Sequence, residues 1–238
     1  MRPMIRLIVA TIAIGLLVDQ HGGAHGQLAV NLAAWAVLAR LWLASPSAQR
    51  PALLACLVFA TVGEVFLSLV WGLYDYRLGN IPLFVPPGHV LLFFLGTQLA
   101  SRLEDGAEWW IAALALPVVI AFAWTGRDTL GPLLYALFLA CMVLSRSRKL
   151  YATMLVLSLA MELWGTWLGN WAWRRDVPWL GLVTDNPPLA AGAFYAALDM
   201  LVVGTVAAWR RQSPASPIFT PSTASHQAAT CSARSSSR

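Results

Sequence analysis

Charge is scarce in this sequence: Asp, Glu, Lys and Arg together supply 11% of the residues, against 58% that are hydrophobic. That scarcity excludes a water-soluble globular domain, which carries about 25% charged residues. Cysteine is nearly absent too. Cys56 and Cys141 fall within apolar runs and Cys231 in a polar tail, so no pair has disulfide or metal-ligand spacing. Neither redox chemistry nor a structural zinc is expected. There is no phosphate-cradling loop, no Gly-x-Ser-x-Gly, no His-Glu-x-x-His and no dinucleotide fingerprint. Clustered aspartates of the Asp-x-x-x-Asp kind, which magnesium-dependent allylic diphosphate chemistry uses, are missing as well. Metal-dependent prenyl transfer is therefore disfavoured, and no metal or other cofactor is called for. The net charge of +5 is not a nucleic-acid footprint, because no basic patch with interleaved aromatics lies outside the apolar runs.

What the sequence has is apolar length. Eight apolar runs can be drawn, at 4–18, 27–44, 51–73, 87–103, 108–124, 129–145, 150–171 and 187–209. Most approach the ~20 residues that span a bilayer. The expected fold is an all-α, polytopic membrane helix bundle of about eight transmembrane helices. Basic residues alternate between connections: Arg2, Arg6, Arg40, Arg50, Arg146, Arg148, Lys149, Arg210 and Arg211 gather on one side. By the positive-inside rule that side is cytoplasmic, so the protein is expected in the plasma (inner) membrane with both termini inside. The N-terminal run, followed by Ala24-His25-Gly26, superficially resembles a secretory signal. An uncleaved first helix is expected, because its removal would spoil the alternation. Pro117 should kink the fifth run, and Pro132 suits the first turn of the sixth. Residues 212–238, rich in Ser, Thr, Pro and Ala, are expected to form a disordered cytoplasmic tail.

Two stretches say nearly the same thing. The first contains Gly63-Glu64, Ser68, Trp71-Gly72, Tyr74, Tyr76-Arg77, Pro86-Pro87 and His89; the second contains Met161-Glu162, Thr166, Gly169, Trp171, Trp173-Arg174 and Asn186-Pro187-Pro188. Each carries a carboxylate inside an apolar run and a hydroxyl four residues on. Each leaves through a Gly, two alternate aromatics and an Arg, with a one-residue offset between the two stretches. This predicts an internal repeat: residues 1–105 as one four-helix unit and 106–211 as a second, parallel to the first about an axis near the membrane normal.

The candidate chemistry follows from the cost of burying acids. Glu64 and Glu162 sit at matching depths, slightly outward of the midplane, where a carboxyl must face the bundle interior and be protonated, paired or hydrated. Ser68 and Thr166 are placed to hydrogen-bond them. Asp199 is a third membrane acid; counted from the Pro-Pro pairs, its counterpart is Gln98, and that of His89 is Ala190. His89 falls near the outer mouth of its helix, within reach of the carboxyl layer. As a lone His it also has the plain reading of a helix-end residue. Tyr74, Tyr76, Trp171 and Trp173 could wall a pocket for a long apolar ligand, with Arg77 and Arg174 at its mouth and Asn186 beside it, or anchor the interface.

The arrangement of a membrane Glu, Gly-x-Tyr-x-Tyr and a Pro-bearing return helix, echoed by an acid and Gly-x-Trp-x-Trp, resembles the integral-membrane carotenoid-biosynthesis proteins. The likeness is to carotenoid hydratases and, more remotely, small membrane lycopene cyclases. It covers Glu64–His89 and Glu162–Pro188. It departs at Trp71-Gly72, where those hydratases have Phe-Gly, and in the single Glu162, where they carry an acid-rich segment. The resemblance implies protonation of an isoprenoid double bond by a membrane carboxylic acid, with water or another double bond capturing the cation. Glu64 or Glu162 would donate the proton, Asp199 would be a second acid or base, and the four aromatics the walls. The residues alone leave two other classes open: a small proton-coupled carrier, and a non-enzymatic scaffold or assembly factor whose acids only join helices.

Overall fold

The computed structural model describes residues 2–212; the tail from residue 213 onward, with Cys231, lies outside the described residues. A backbone in hydrocarbon must satisfy its own N–H and C=O groups, and each apolar run is helical over most of its length. The elements are α1 (Arg2–Ala44), α2 (Arg50–Glu64), a π-helix (Val65–Val70), β1 (Tyr74–Tyr76), α3 (Val85–Ala100), α4 (Ala107–Trp124) and α5 (Gly131–Leu144). They continue with α6 (Arg148–Leu168), β2 (Trp171–Trp173), β3 (Asp176–Val177), β4 (Leu182–Val183) and α7 (Gly192–Gln212).

The first two runs share α1, but α1 is not a rod. Gly23 takes φ 57° and ψ −144°, outside the helical region. A Cβ added at Gly15 would lie 3.2 Å from Val30, whereas a straight helix would separate those residues by about 22 Å. The chain therefore folds back into two antiparallel arms. Four segments are long and apolar enough to cross a membrane: Pro3–Ala44, Arg50–Val70, Ala107–Trp124 and Gly192–Arg211. Val85–Ala100 and Gly131–Leu144 are shorter apolar helices. The exterior is apolar, with Leu43 77%, Trp124 90% and Trp167 74% exposed, while Asp19, Glu64, Glu162 and Asp199 are buried. Apolar outside and acidic inside is the arrangement a lipid solvent requires.

At the centre α2 packs on α3 and α7, and α6 packs on α3 and α7. The arms of α1 lie against α3 and α6; α4 and α5 pack on each other and on α6, with α5 also against α7. The α6–α7 approach depends on Gly192, where a Cβ would come within 2.7 Å of the Leu155 Cα. α4 runs helically through Pro117, and Pro132 sits in the first turn of α5.

The one-residue offset between the two stretches has a structural origin. Gly72 follows Glu64 by eight positions and Gly169 follows Glu162 by seven, and the segment after Glu64 is a π-helix where that after Glu162 is α-helical. A π-turn closes on i→i+5 and so takes up the extra residue. Gly72 (φ 72°) and Gly169 (φ 81°) then turn the chain out of each helix through the left-handed region, which side chains disfavour. Beyond them β1 and β2 pair antiparallel, Tyr74 opposite Trp173 and Tyr76 opposite Trp171.

The return helices differ more than their proline pairs suggest. Pro86 and Pro87 lie in the first turn of α3, but Pro187 and Pro188 precede α7, which opens at Gly192 after tight i→i+3 turns at Ala191 and Ala193. Counted from the helix starts, Asp199 stands level with Leu92, not Gln98, and His89 with Ala196, not Ala190.

Candidate functional site

In an extended strand alternate side chains share a face, so Tyr74 and Tyr76 turn the same way, as do Trp171 and Trp173. Both pairs turn toward the carboxylate of their own stretch. The Tyr74 hydroxyl lies 3.0 Å from Glu64 Oε2 and the Tyr76 hydroxyl 2.9 Å from Oε1. The indole N–H groups of Trp171 and Trp173 donate to Glu162 Oε2 at 2.8 and 3.0 Å. Glu162 Oε1 is hydrogen-bonded to the Tyr195 hydroxyl at 3.1 Å. The strand pair thus ties two buried carboxyls into one layer.

The difference between phenols and indoles has a chemical consequence. An indole N–H donates only, so Glu162 Oε2 is committed to accepting, and any proton on Glu162 resides on Oε1, toward Tyr195. A phenol donates or accepts, so Glu64 can carry a proton on either oxygen.

The expected partners Ser68 and Thr166 do not fill this role. Thr166 bonds back to the Glu162 carbonyl oxygen at 2.7 Å, the usual habit of a hydroxyl inside a helix. Ser68 lies in the π-helix, and both Glu64 oxygens are held by the two tyrosines.

Glu64, Glu162, His89, Tyr195 and all four strand aromatics line one cavity of about 100 Å³. Its remaining walls are mostly apolar, among them Leu16, Val30, Phe84, Met161, Phe194 and Leu198. The ring centroids of Tyr74 and Trp173 are 4.8 Å apart, and those of Tyr76 and Trp171 6.2 Å. The aromatic wall is therefore continuous across the strand pair.

Three sequence candidates hold the loops instead of lining the cavity. Arg77 reaches the backbone oxygen of buried Asp19, whose carboxylate also accepts from Asn170 at 2.6 Å. Arg174 makes a bidentate pair with Asp75, both bonds at 2.8 Å. Its guanidinium hydrogen bonds hold the exposed Asp75 carboxyl below its usual range. Asn186 accepts the backbone N–H of Trp173 at 3.0 Å and so fixes the end of β2.

His89 lies in the second helical turn of α3 and stacks on Tyr195, ring centroids 4.8 Å apart and 2° from parallel. Its Nε2 is 3.7 Å from Asp199 Oδ1, and Asp199 is wholly buried. Sequence reasoning missed Tyr195 and Cys56. Each had a signal in helical spacing: Tyr195 precedes Asp199 by four residues, and Cys56, Ala60 and Glu64 form one i, i+4 stripe on the buried face of α2.

Trp171 reaches Glu162 only because its ring occupies the place a side chain would take at Gly165. Gly165→Ala is expected to displace the ring, break its bond to Glu162 and lower stability by about 1–3 kcal/mol through overpacking. Thermal unfolding in detergent, with indole fluorescence reporting the ring's environment, checks this. An unshifted midpoint with native fluorescence would contradict the packing described. Compared with protein-family models, with curated proteins and with solved structures, the chain matches none of them.

Proposed function

We propose that the protein is an integral-membrane enzyme that protonates a carbon–carbon double bond of a long apolar isoprenoid, of which only the reacting segment enters the cavity of about 100 Å³, leading to hydration or cyclisation. The observation that carries this reading is the pair of aromatic-held carboxyls in the wall of one largely apolar cavity. In the proposed step Glu162 gives the proton on Oε1 to the double bond, and the C=C π electrons form the new C–H bond. The carboxylate left behind keeps two indole N–H donors and the Tyr195 hydroxyl, which stabilise its charge away from bulk water. The cation forms beside Tyr and Trp faces, whose quadrupoles favour it. Water adds and loses a proton, or a second double bond closes a ring and a proton leaves; in each case that proton returns to the Glu162 carboxylate, directly or by way of Glu64, and restores the acid.

The reading also takes residues 1–105 and 106–211 as two parallel copies of one four-helix design. The matching carboxyl clamps and the antiparallel β1–β2 register support that view. It places both termini on the cytoplasmic face of the inner membrane and the strand pair on the other. Asp176→Cys is then expected to react with an impermeant thiol reagent from outside intact cells; labelling only after the membrane is opened would overturn the orientation.

A second reading is a non-enzymatic scaffold, favoured by one fact: all four carboxyl oxygens of Glu64 and Glu162 are hydrogen-bonded within the protein, as helix joints are. Isoprenoid and pigment extracts of membranes with and without the gene separate the two. A changed profile supports the enzyme, and identical extracts sink it.

A further inference from the structure

Behind the His89 ring, three helices bring together groups that the isoprenoid reading does not fully use. Cys56 of α2, His89 of α3 and Asp199 of α7 each offer one ligand atom, all within 4.8 Å of one another, and all three residues are buried. His89 Nε2 and both Asp199 carboxylate oxygens have no hydrogen-bond partner among the described residues. A wholly buried carboxylate with two bare oxygens carries a desolvation cost of several kcal/mol, and such groups occur where something else satisfies them. A simple His–Asp ion pair does not suffice: at 3.7 Å the two are beyond hydrogen-bond distance, and it would leave Oδ2 bare.

We infer that Cys56, His89 and Asp199 form a binding site for a divalent transition-metal ion of borderline softness, with zinc as the best match. Thiolate, imidazole and carboxylate are the three ligand types zinc takes. The charge also balances, since a dication with one thiolate, one carboxylate and a neutral imidazole sums to zero, which suits a site surrounded by apolar helices. Ligand distances of about 2.0–2.3 Å in a tetrahedral site imply donor separations near 3.5 Å. The His89–Asp199 spacing of 3.7 Å already meets that, and the whole cluster closes with shifts of about 1 Å. Three protein ligands leave a fourth position. His89 also lines the cavity that Glu64 and Glu162 line, so the site borders it. Spacing along the chain gave no sign that the three residues meet, because each ligand comes from a different helix.

The inference does not depend on the isoprenoid reading, and its test measures metal, not turnover. The full chain, carrying Cys231→Ser to silence the tail thiol, is purified in detergent through a histidine-free tag from cells grown with zinc. Elemental analysis is expected to give about one zinc per chain, falling at least tenfold in Cys56→Ser, His89→Gln and Asp199→Asn. Cobalt exchange is expected to produce a thiolate-to-cobalt charge-transfer band that Cys56→Ser abolishes and Cys141→Ser retains. A folded, monodisperse parent that stays metal-free after zinc incubation and gives no cobalt band overturns the site; so does zinc that survives all three substitutions. If the three ligand variants fail to fold, the cobalt band of the parent and of Cys141→Ser decides alone: present in both, the site stands; absent from either, it falls.

Discussion

Glu162→Gln is expected to abolish the proposed isoprenoid conversion while leaving the protein folded. The amide oxygen in the Oε2 place still accepts the two indole N–H groups, and the amide nitrogen in the Oε1 place donates to the Tyr195 oxygen. Every hydrogen bond of the clamp has a counterpart in the variant. Only the transferable proton is gone. Loss of a general acid lowers turnover by about 10²–10⁴-fold, and Glu64→Gln is expected to fall in the same range if its carboxylate recovers the proton. The measurement is the pigment and isoprenoid profile of membranes carrying wild type or each variant at equal expression. Under the scaffold reading both Gln variants behave as wild type, because an amide joins helices as well as an acid does. Under the carrier reading, lipids stay constant while proton-coupled uptake is lost. Unchanged lipids in both variants and on deletion of the gene would end the enzyme proposal.

Glu162→Leu is expected to do the reverse damage, striking stability before chemistry. Leucine fills a similar volume but bonds to nothing, so the N–H groups of Trp171 and Trp173 lose their common acceptor, and the Tyr195 hydroxyl its partner, inside the bundle. An orphaned buried donor costs about 1–3 kcal/mol, and relieving the burial of Glu162 itself offsets part of the sum, leaving a net loss of about 3–5 kcal/mol. For a chain of this size that is on the order of ten degrees in the thermal midpoint. Glu162→Gln should remain within about 1 kcal/mol of wild type. Parallel melts of the two variants in one detergent check the contrast. Equal midpoints for Leu and Gln would show that the clamp contributes nothing to folding, whatever the fate of catalysis.

The two outcomes together separate the roles of one residue. A Gln variant that is stable and inactive, beside a Leu variant that is unstable, would assign the clamp to the fold and the proton to the reaction. The strand aromatics are engaged in both. Tyr74, Tyr76, Trp171 and Trp173 hold the carboxyls through their polar edges and present their rings to the same cavity. Substitution by Phe at either tyrosine keeps the wall and removes the bond, so it is the milder probe of the same division.

The sequence by itself determined what depends on near neighbours and on solvent. Apolar length and the scarcity of charge predicted helices suited to a membrane, because a backbone without water bonds to itself within a few residues. Buried acids at Glu64 and Glu162, the glycine exits at Gly72 and Gly169, and alternate aromatics on one face were legible for the same reason. Even the π-helix left a trace, as the one-residue offset between two otherwise matching stretches. Which group meets which carboxyl was decided only by the tertiary structure. Ser68 and Thr166 looked right by helical spacing, yet the acids are held by aromatic edges that reach back from short strands, and those strands exist only because Tyr74 and Trp173, far apart in the chain, pair across the bundle. The same holds for Tyr195 on Glu162 and for the meeting of Cys56, His89 and Asp199 from three helices. Periodicity fixes the face on which a side chain emerges, but the helix opposite that face is chosen by packing, where close approaches such as Gly192 on Leu155 select one arrangement among many that share the same pattern.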